Sequence, residues 1–300
     1  MCSFPGHRPG RKPPQQRPAI SVPAVPVSQS IPPPDSGLPP VGPLRLGSLE
    51  LGDGRPAVAR RHFPATEPRQ PALWVTDGAV AGAARVWSEL ADRFPVTGLW
   101  PLVLRGLAGD ERRPWDDGEL EPADESDVDA RDPCQVLATG WNDSLVPLGE
   151  HPRVAHLTPY AAPFPGLAAP LPRVGRPAAV PTEALAPRRA ARLGLVRCRR
   201  PADAVALVGW LGAINVTGPA EVAAVLRSWE ERFGVVLAAL GFDTLSLLVP
   251  HPPVDEHQAL PIAAEIAALC PDALWQGPGG TLAELARTLV GQPIWRLWFD

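Results

Sequence analysis

Apolar positions along this chain follow two periodicities, and both become regular only near residue 73. Leu73, Trp74 and Val75 form a short run that predicts a strand. Thr76 and Asp77 then offer N-caps for a helix over 79–94, with Val80, Ala84, Trp87, Ala91 and Phe94 at helical spacing. Residues 97–104 read as a turn entering a buried strand, and 154–157 as a further short strand. Residues 133–190 are rich in Pro and Ala and give no clear period.

The second half is more regular. Residues 193–198 predict a strand, and Pro201-Ala202-Asp203 opens a short helix reaching Trp210. Thr217-Gly218-Pro219 opens a longer helix, with proline in its first turn, and Gly234 closes it. Val222, Val225, Leu226, Trp229 and Phe233 make its buried stripe. The apolar runs 235–240 and 244–249, split by Gly241-Phe242-Asp243, predict an antiparallel hairpin. A helix over 260–269 stops at Pro271, and Thr281 with Glu284 forms a capping box for a helix to Val290. The aromatic ending, 294–299, predicts a docked final strand, because rings of that size need burial. A faint echo links Trp87…Phe94 plus a strand to Trp229…Phe233 plus a strand.

Composition changes this picture at the N-terminus. Of 41 prolines in 300 residues, 17 fall in 1–72, with few aromatics and no apolar period. Such a stretch buries too little surface to offset its chain entropy, so it reads as a disordered Pro/Arg-rich tail. With Met1 the only methionine, the same stretch reads as a misplaced start that folding does not need. Residues 1–72 carry 9 basic and 4 acidic groups, and 73–150 carry 6 and 16, mostly within 110–132. A net charge of −4 argues against nucleic acid as a partner. No apolar run reaches the length of a membrane span. Four scattered cysteines without a Cys-x-x-Cys pair point to a reduced, cytoplasmic protein with no metal and no cofactor. Lys12 is the only lysine, an arginine bias that reads as coding in a high-GC genome.

Several motifs resemble one bacterial family, the domain of unknown function 4253. They are Gly209-Trp210 with Asn215, the segment 226–234, Gly241-Phe242-Asp243-Thr244-Leu245, Ala263-Ala264-Glu265, Cys270-Pro271-Asp272, Trp275-Gln276-Gly277 and the Trp-rich end. Residues 97–101 and 113–115 resemble the region upstream in longer members. The chain departs from the pattern at Ile266, where a His is expected, and in its ending Leu297-Trp298-Phe299-Asp300. The resemblance implies a mixed α and β fold and supplies no activity.

Candidate chemistry is sparse. The best polar constellation is Asn215, Arg227, Glu230, Arg232, Asp243, Glu265 and Asp272, read either as a carboxylate/Arg cleft for acid–base or anion chemistry, or as ion pairs pinning helix to hairpin. The second reading is favoured, since no nucleophile or His joins the set. His251, Asp255, Glu256 and His257 lack a third ligand at fixed spacing, and residues 277–280 lack the Gly-Lys-Ser/Thr ending of a phosphate loop. Cys270 reads as a buried thiol, and Asp127 and Asp129 as part of a solvated loop rather than a calcium site.

The expected architecture is α+β: a tail over 1–72, a lobe over 73–185 carrying the acidic loop 110–132, and a C-terminal domain over 190–300. The leading expectation for function is a protein-binding module of the immunity type. Trp115 and Trp141 would anchor a partner, and Asp116, Asp117 and Glu119 would attract its basic surface. The alternative is a small-molecule binder or enzyme built on Arg227, Asp243 and Glu265.

Overall fold

The computed structural model describes residues 18–23, 37–59, 71, 73–145, 156–160, 163–186, 190–277 and 279–300. Its centre is one mixed sheet. Along the chain its strands are β2 (Gly42–Leu46), β3 (Leu49–Pro56), β4 (Leu73–Thr76), β6 (Leu99–Leu104), β8 (Ala190–Arg197), β9 (Val236–Leu240), β10 (Thr244–Leu248) and β11 (Ile294–Trp298). In space they run β11-β10-β9-β6-β8-β4-β3-β2, with the two-residue β5 (Val80–Ala81) also paired to β8. All neighbours are antiparallel except β6 and β9, which are parallel through Val103↔Ala239 and Leu104↔Leu240. The α+β expectation holds. The sheet interleaves the two expected lobes, because β8 lies between β4 and β6.

β6 and β9 are buried at every position. A strand covered on both faces loses its alternation, which explains their continuous apolar runs. α7 (Pro219–Phe233), α8 (Glu256–Leu269), α4 (Pro133–Gly140) and α10 (Leu282–Leu289) pack on one another beside the sheet. A π-helical turn, Trp141–Leu145, continues α4. Several tryptophans of the core hand their indole proton to a backbone acceptor, whereas the buried Trp295 Nε1 has none among the described residues. Trp87 donates to Pro101 O at 2.8 Å, Trp100 to Leu237 O at 2.8 Å, and Trp210 to Gly241 O at 2.7 Å. This satisfies the one polar atom that makes a buried indole costly. Trp87 and Phe94 both meet Trp100 edge-on.

The second half follows its sequence pattern closely. α7 starts at Pro219 and ends on a left-handed Gly234 (φ 69°). β9 and β10 form the expected hairpin, and Trp295, Leu297 and Phe299 are buried at the C-terminal edge. Thr281 caps α10 by accepting from Glu284 N at 3.2 Å.

The first half differs in three places. α1 (Ala83–Ala91) begins after Gly82, not near Ala79, and Val80 belongs to β5. Thr76 does not cap it: that hydroxyl is buried in β4 and accepts from Leu193 N at 3.0 Å. His156 and Leu157 lie in a 3-10 turn rather than a strand, and Val154 and Ala155 fall outside the described residues.

Order also reaches upstream of Leu73. β2 and β3 form a hairpin, and β3 extends the sheet by pairing with β4 through Gly54↔Thr76. Leu49 and Leu51 are buried there, and Trp74 donates to Pro40 O at 3.0 Å. β1 (Ala19–Ser21) pairs with β7 (Ala179–Pro181) in a separate two-stranded sheet. This corrects the expectation that folding needs none of residues 1–72. The remaining Pro-rich stretches, 1–17, 24–36 and 60–70, lie outside the described residues. Among the described residues no helix is long and apolar enough to cross a membrane.

A chain beginning at residue 71 strips β4 of β3, one of its two partner strands, and uncovers Leu73 and Trp74. Each buried Leu lost with the hairpin contributes about 1.5–3 kcal/mol. Circular dichroism melts should place the truncated chain roughly 10 °C or more below the full chain. An unchanged melt would show that the hairpin is dispensable.

Candidate functional site

The seven polar residues singled out in the sequence fall into separate networks. The first surrounds Glu265 on α8, which is wholly buried. It accepts from Trp229 Nε1 at 2.8 Å, Ala168 N at 2.6 Å, and Arg232 Nη1 and Nη2 at 2.7 and 2.6 Å. Arg232 also donates to Ala168 O and Ser228 Oγ and lies over the Phe233 ring. Glu265 accepts four bonds and four of the five Arg232 N–H groups have a partner, which is close to what a buried ion pair requires. Its role is to fasten residues 163–173 to α7 and α8.

In the second network Arg227 bonds Asp203, which is buried, and Asp129. The two carboxylates raise the affinity of the guanidinium for its proton against the burial that lowers it. Asp243 accepts from Trp298 Nε1 at 3.0 Å. Asn215 and Asp272 meet at the C-terminal residue, where Asn215 Nδ2 donates to Asp300 O and Asp300 N donates to Asp272, each at 3.0 Å. Among the described residues Arg227, Asp243 and Glu265 share no partner, and no common network joins these three.

The candidate interface is corrected in the same way. Trp115 and Trp141 are core residues, 2% and 0% exposed. Trp115 donates to Arg105 O at 2.9 Å, and Trp141 packs on Phe164. A large ring with an internal acceptor available gains more inside than at the surface. Asp116 pairs with Arg192 at 2.8 Å and Arg55 at 2.7 Å, Asp117 with Arg112, and Glu119 with Arg113. Residues 110–132 are also docked by backbone bonds, Glu121 N to Gly209 O and Ala123 N to Ala206 O.

Three further motifs have local roles. Asp255 caps α8 by accepting from Gln258 N at 2.9 Å. At the start of α10 a Cβ on Gly279 would lie 2.1 Å from the Glu284 carboxyl carbon, so that carboxylate already fills the place a phosphate would take. Burial pushes the Cys270 thiol up to about 12, which keeps it protonated at neutral pH, and its Sγ donates to Trp298 O.

Among the described residues, Glu230 is the member of the set that lines a depression of about 130 Å³ at the C-terminal end of α7. Val22, Pro201, Val235 and Val236 form a buried apolar floor. Arg173, Arg199, Arg200 and His251 stand around it. Arg200 donates to Glu230 Oε2 at 3.2 Å and to Glu231 at 2.9 Å, and Ala202 N donates to Glu230 Oε1 at 2.6 Å. Arg199 is 3.5 Å from Glu125. Arg173 meets no carboxylate among the described residues, its Nη2 donating instead to Glu230 O at 3.0 Å and Glu231 O at 2.8 Å. His251 has no hydrogen-bond partner among the described residues. Sequence reasoning missed Arg173, because residues 133–190 carry no period, and it weighed His251 only as a metal ligand, a reading it set aside. The dibasic Arg199-Arg200 before Pro201 was the available signal.

A scan against family models matches residues 192–300 to the domain of unknown function DUF4253. Residues 192–300 are a DUF4253 domain. No curated protein and no solved structure matches the chain. The domain supplies Arg199, Arg200, Glu230, Val235, Val236 and His251, while Val22 and Arg173 come from outside it. The pocket is thus built at the seam between the DUF4253 domain and the preceding chain.

Burial raises the Glu230 carboxyl to about 7, against the opposing pull of Arg200 and the Ala202 amide. The folded protein therefore holds this proton more tightly than the unfolded chain. Its contribution to stability is full below the ordinary carboxylate range and is lost as pH rises toward 7. In urea unfolding, wild type should lose about 3 kcal/mol between pH 4.5 and 7.5 relative to Glu230→Gln. Parallel pH profiles would contradict the assignment. Separately, Arg232→Met strands the Glu265 charge and should cost about 3–5 kcal/mol at pH 7 in the same assay. A cost below 1 kcal/mol would mean that Glu265 reaches water.

Proposed function

We propose that this protein binds a small molecule in the pocket at the end of α7. The observation that carries the reading is the arrangement of Arg173, Arg199, Arg200 and His251 around an apolar floor, with one buried carboxyl, Glu230, already engaged by the fold. A concave, mostly apolar surface with a few convergent polar groups is the usual form of a ligand site. Glu230 also holds its proton near neutral pH, which suits proton exchange with a bound molecule. The alternative reading, a protein-binding module drawn to a basic partner, has lost its anchors. Trp115 and Trp141 lie in the core, and the neighbouring acids are paired with arginines.

Pro177 sits exposed on the rim, so Pro177→Trp blocks the pocket without entering the core. The experiment melts both full-length proteins against a panel of small organic acids, amines and neutral sugars. A panel member at a hundred times its Kd should raise the wild-type Tm by roughly 5–10 °C. The Trp variant should show no such rise. A panel without effect, or a rise that survives Pro177→Trp, would refute the site.

A further inference from the structure

Resting on that pocket as the binding site, we infer that its ligand is a carboxylic acid with one negative charge and a short apolar tail. The charge follows from which cations are engaged. Arg200 is held by Glu230 and Glu231, and Arg199 stands beside Glu125. Arg173 alone faces no carboxylate among the described residues. Both of its hydrogen bonds leave from one nitrogen, Nη2, so the Nε and Nη1 donors stay available for an anion. Its position is fixed. A Cβ on Gly234 would lie 3.5 Å from Arg173 Nε, so the guanidinium rests against the glycine that ends α7. His251 adds a second unengaged nitrogen donor on the same rim. The Nε and Nη1 donors lie on different edges of the guanidinium and each offers a single N–H bond, so one cation without a carboxylate partner, with His251 on the same rim, matches one singly charged carboxylate.

The tail follows from the floor. Val22, Val235 and Val236 are 4%, 1% and 3% exposed and offer no polar atom of their side chains. A phosphate or a dicarboxylate would press a second charge against that surface and leave it unpaired. The volume of about 130 Å³ accommodates roughly ten water-sized groups. That is enough for an acid of medium chain length and too little for a nucleotide.

The test titrates full-length protein with acetate, butyrate, hexanoate and octanoate, and with hexanamide and inorganic phosphate as controls, by saturation-transfer NMR and calorimetry. Affinity should rise up to about fourfold per methylene while the tail still finds floor, then level off. Hexanamide should bind at least tenfold more weakly than hexanoate, and Arg173→Gln should lower hexanoate affinity at least tenfold. Equal binding of acid and amide, phosphate binding more tightly than hexanoate, or an unaffected Arg173→Gln would each overturn the inference. The acid–amide comparison uses wild type alone, so it decides even if the variant fails to fold. If another class of molecule binds and Pro177→Trp abolishes it, the pocket stands and the acid does not. If nothing sensitive to Pro177→Trp binds, both fall.

Discussion

The carboxyl group of Glu265, shut away from water, constrains more of this molecule than any other group. An unpaired charge there would cost several kcal/mol, so the surrounding chain has to deliver donors to it. α7 supplies the Arg232 guanidinium and the Trp229 indole, and the irregular segment before β7 supplies the Ala168 amide. Arg232 then returns a bond to Ala168 O, and Leu171 N bonds Arg232 O at 2.9 Å. A stretch with no secondary structure is thereby held as firmly as a strand. Arg173 lies two residues beyond Leu171, so the placement of the pocket's free cation is inherited from a charge buried elsewhere.

The same logic runs through the tryptophans. Their rings fill the core, and the indole N–H groups of Trp87, Trp100, Trp115, Trp210 and Trp229 each also select one carbonyl or carboxylate, which limits the ways the elements can dock. Trp100 donates across from β6 to β9, the one parallel junction in the sheet. Those two strands follow the two helix–strand segments that echo each other in sequence, and they lie side by side.

Legibility in the sequence tracked how local the determinants were. α7 was readable because Pro219 and Gly234 mark its ends and its apolar stripe has one period. The hairpin at Gly241–Asp243 and the alternating Trp295, Leu297 and Phe299 were readable for the same reason. The β2–β3 hairpin carries its own signal in Leu44, Leu46, Leu49 and Leu51 around Gly47-Ser48, but the proline density nearby masked it. Site residues were harder. Glu230 and Glu265 sit on neighbouring helices with the same residue type, yet one is saturated by four donors and the other lines a pocket. That difference is set by Ala168, Ala202 and Arg200, which are distant in sequence. Trp115 and Trp141 misled because residues without regular pattern were equated with surface.

The separate pairing of Ala19–Ser21 with Ala179–Pro181 has a consequence for how the protein comes into being. Val22 follows the first of these strands and lines the pocket, as does His251. The pocket therefore closes contacts that span most of the chain. Contacts at such separation carry the largest loop-closure cost and form slowly. On the ribosome the N-terminal strand is made early and has to wait for its partner. The pocket is complete only when nearly all of the fold is, which makes its occupancy a reporter of finished folding.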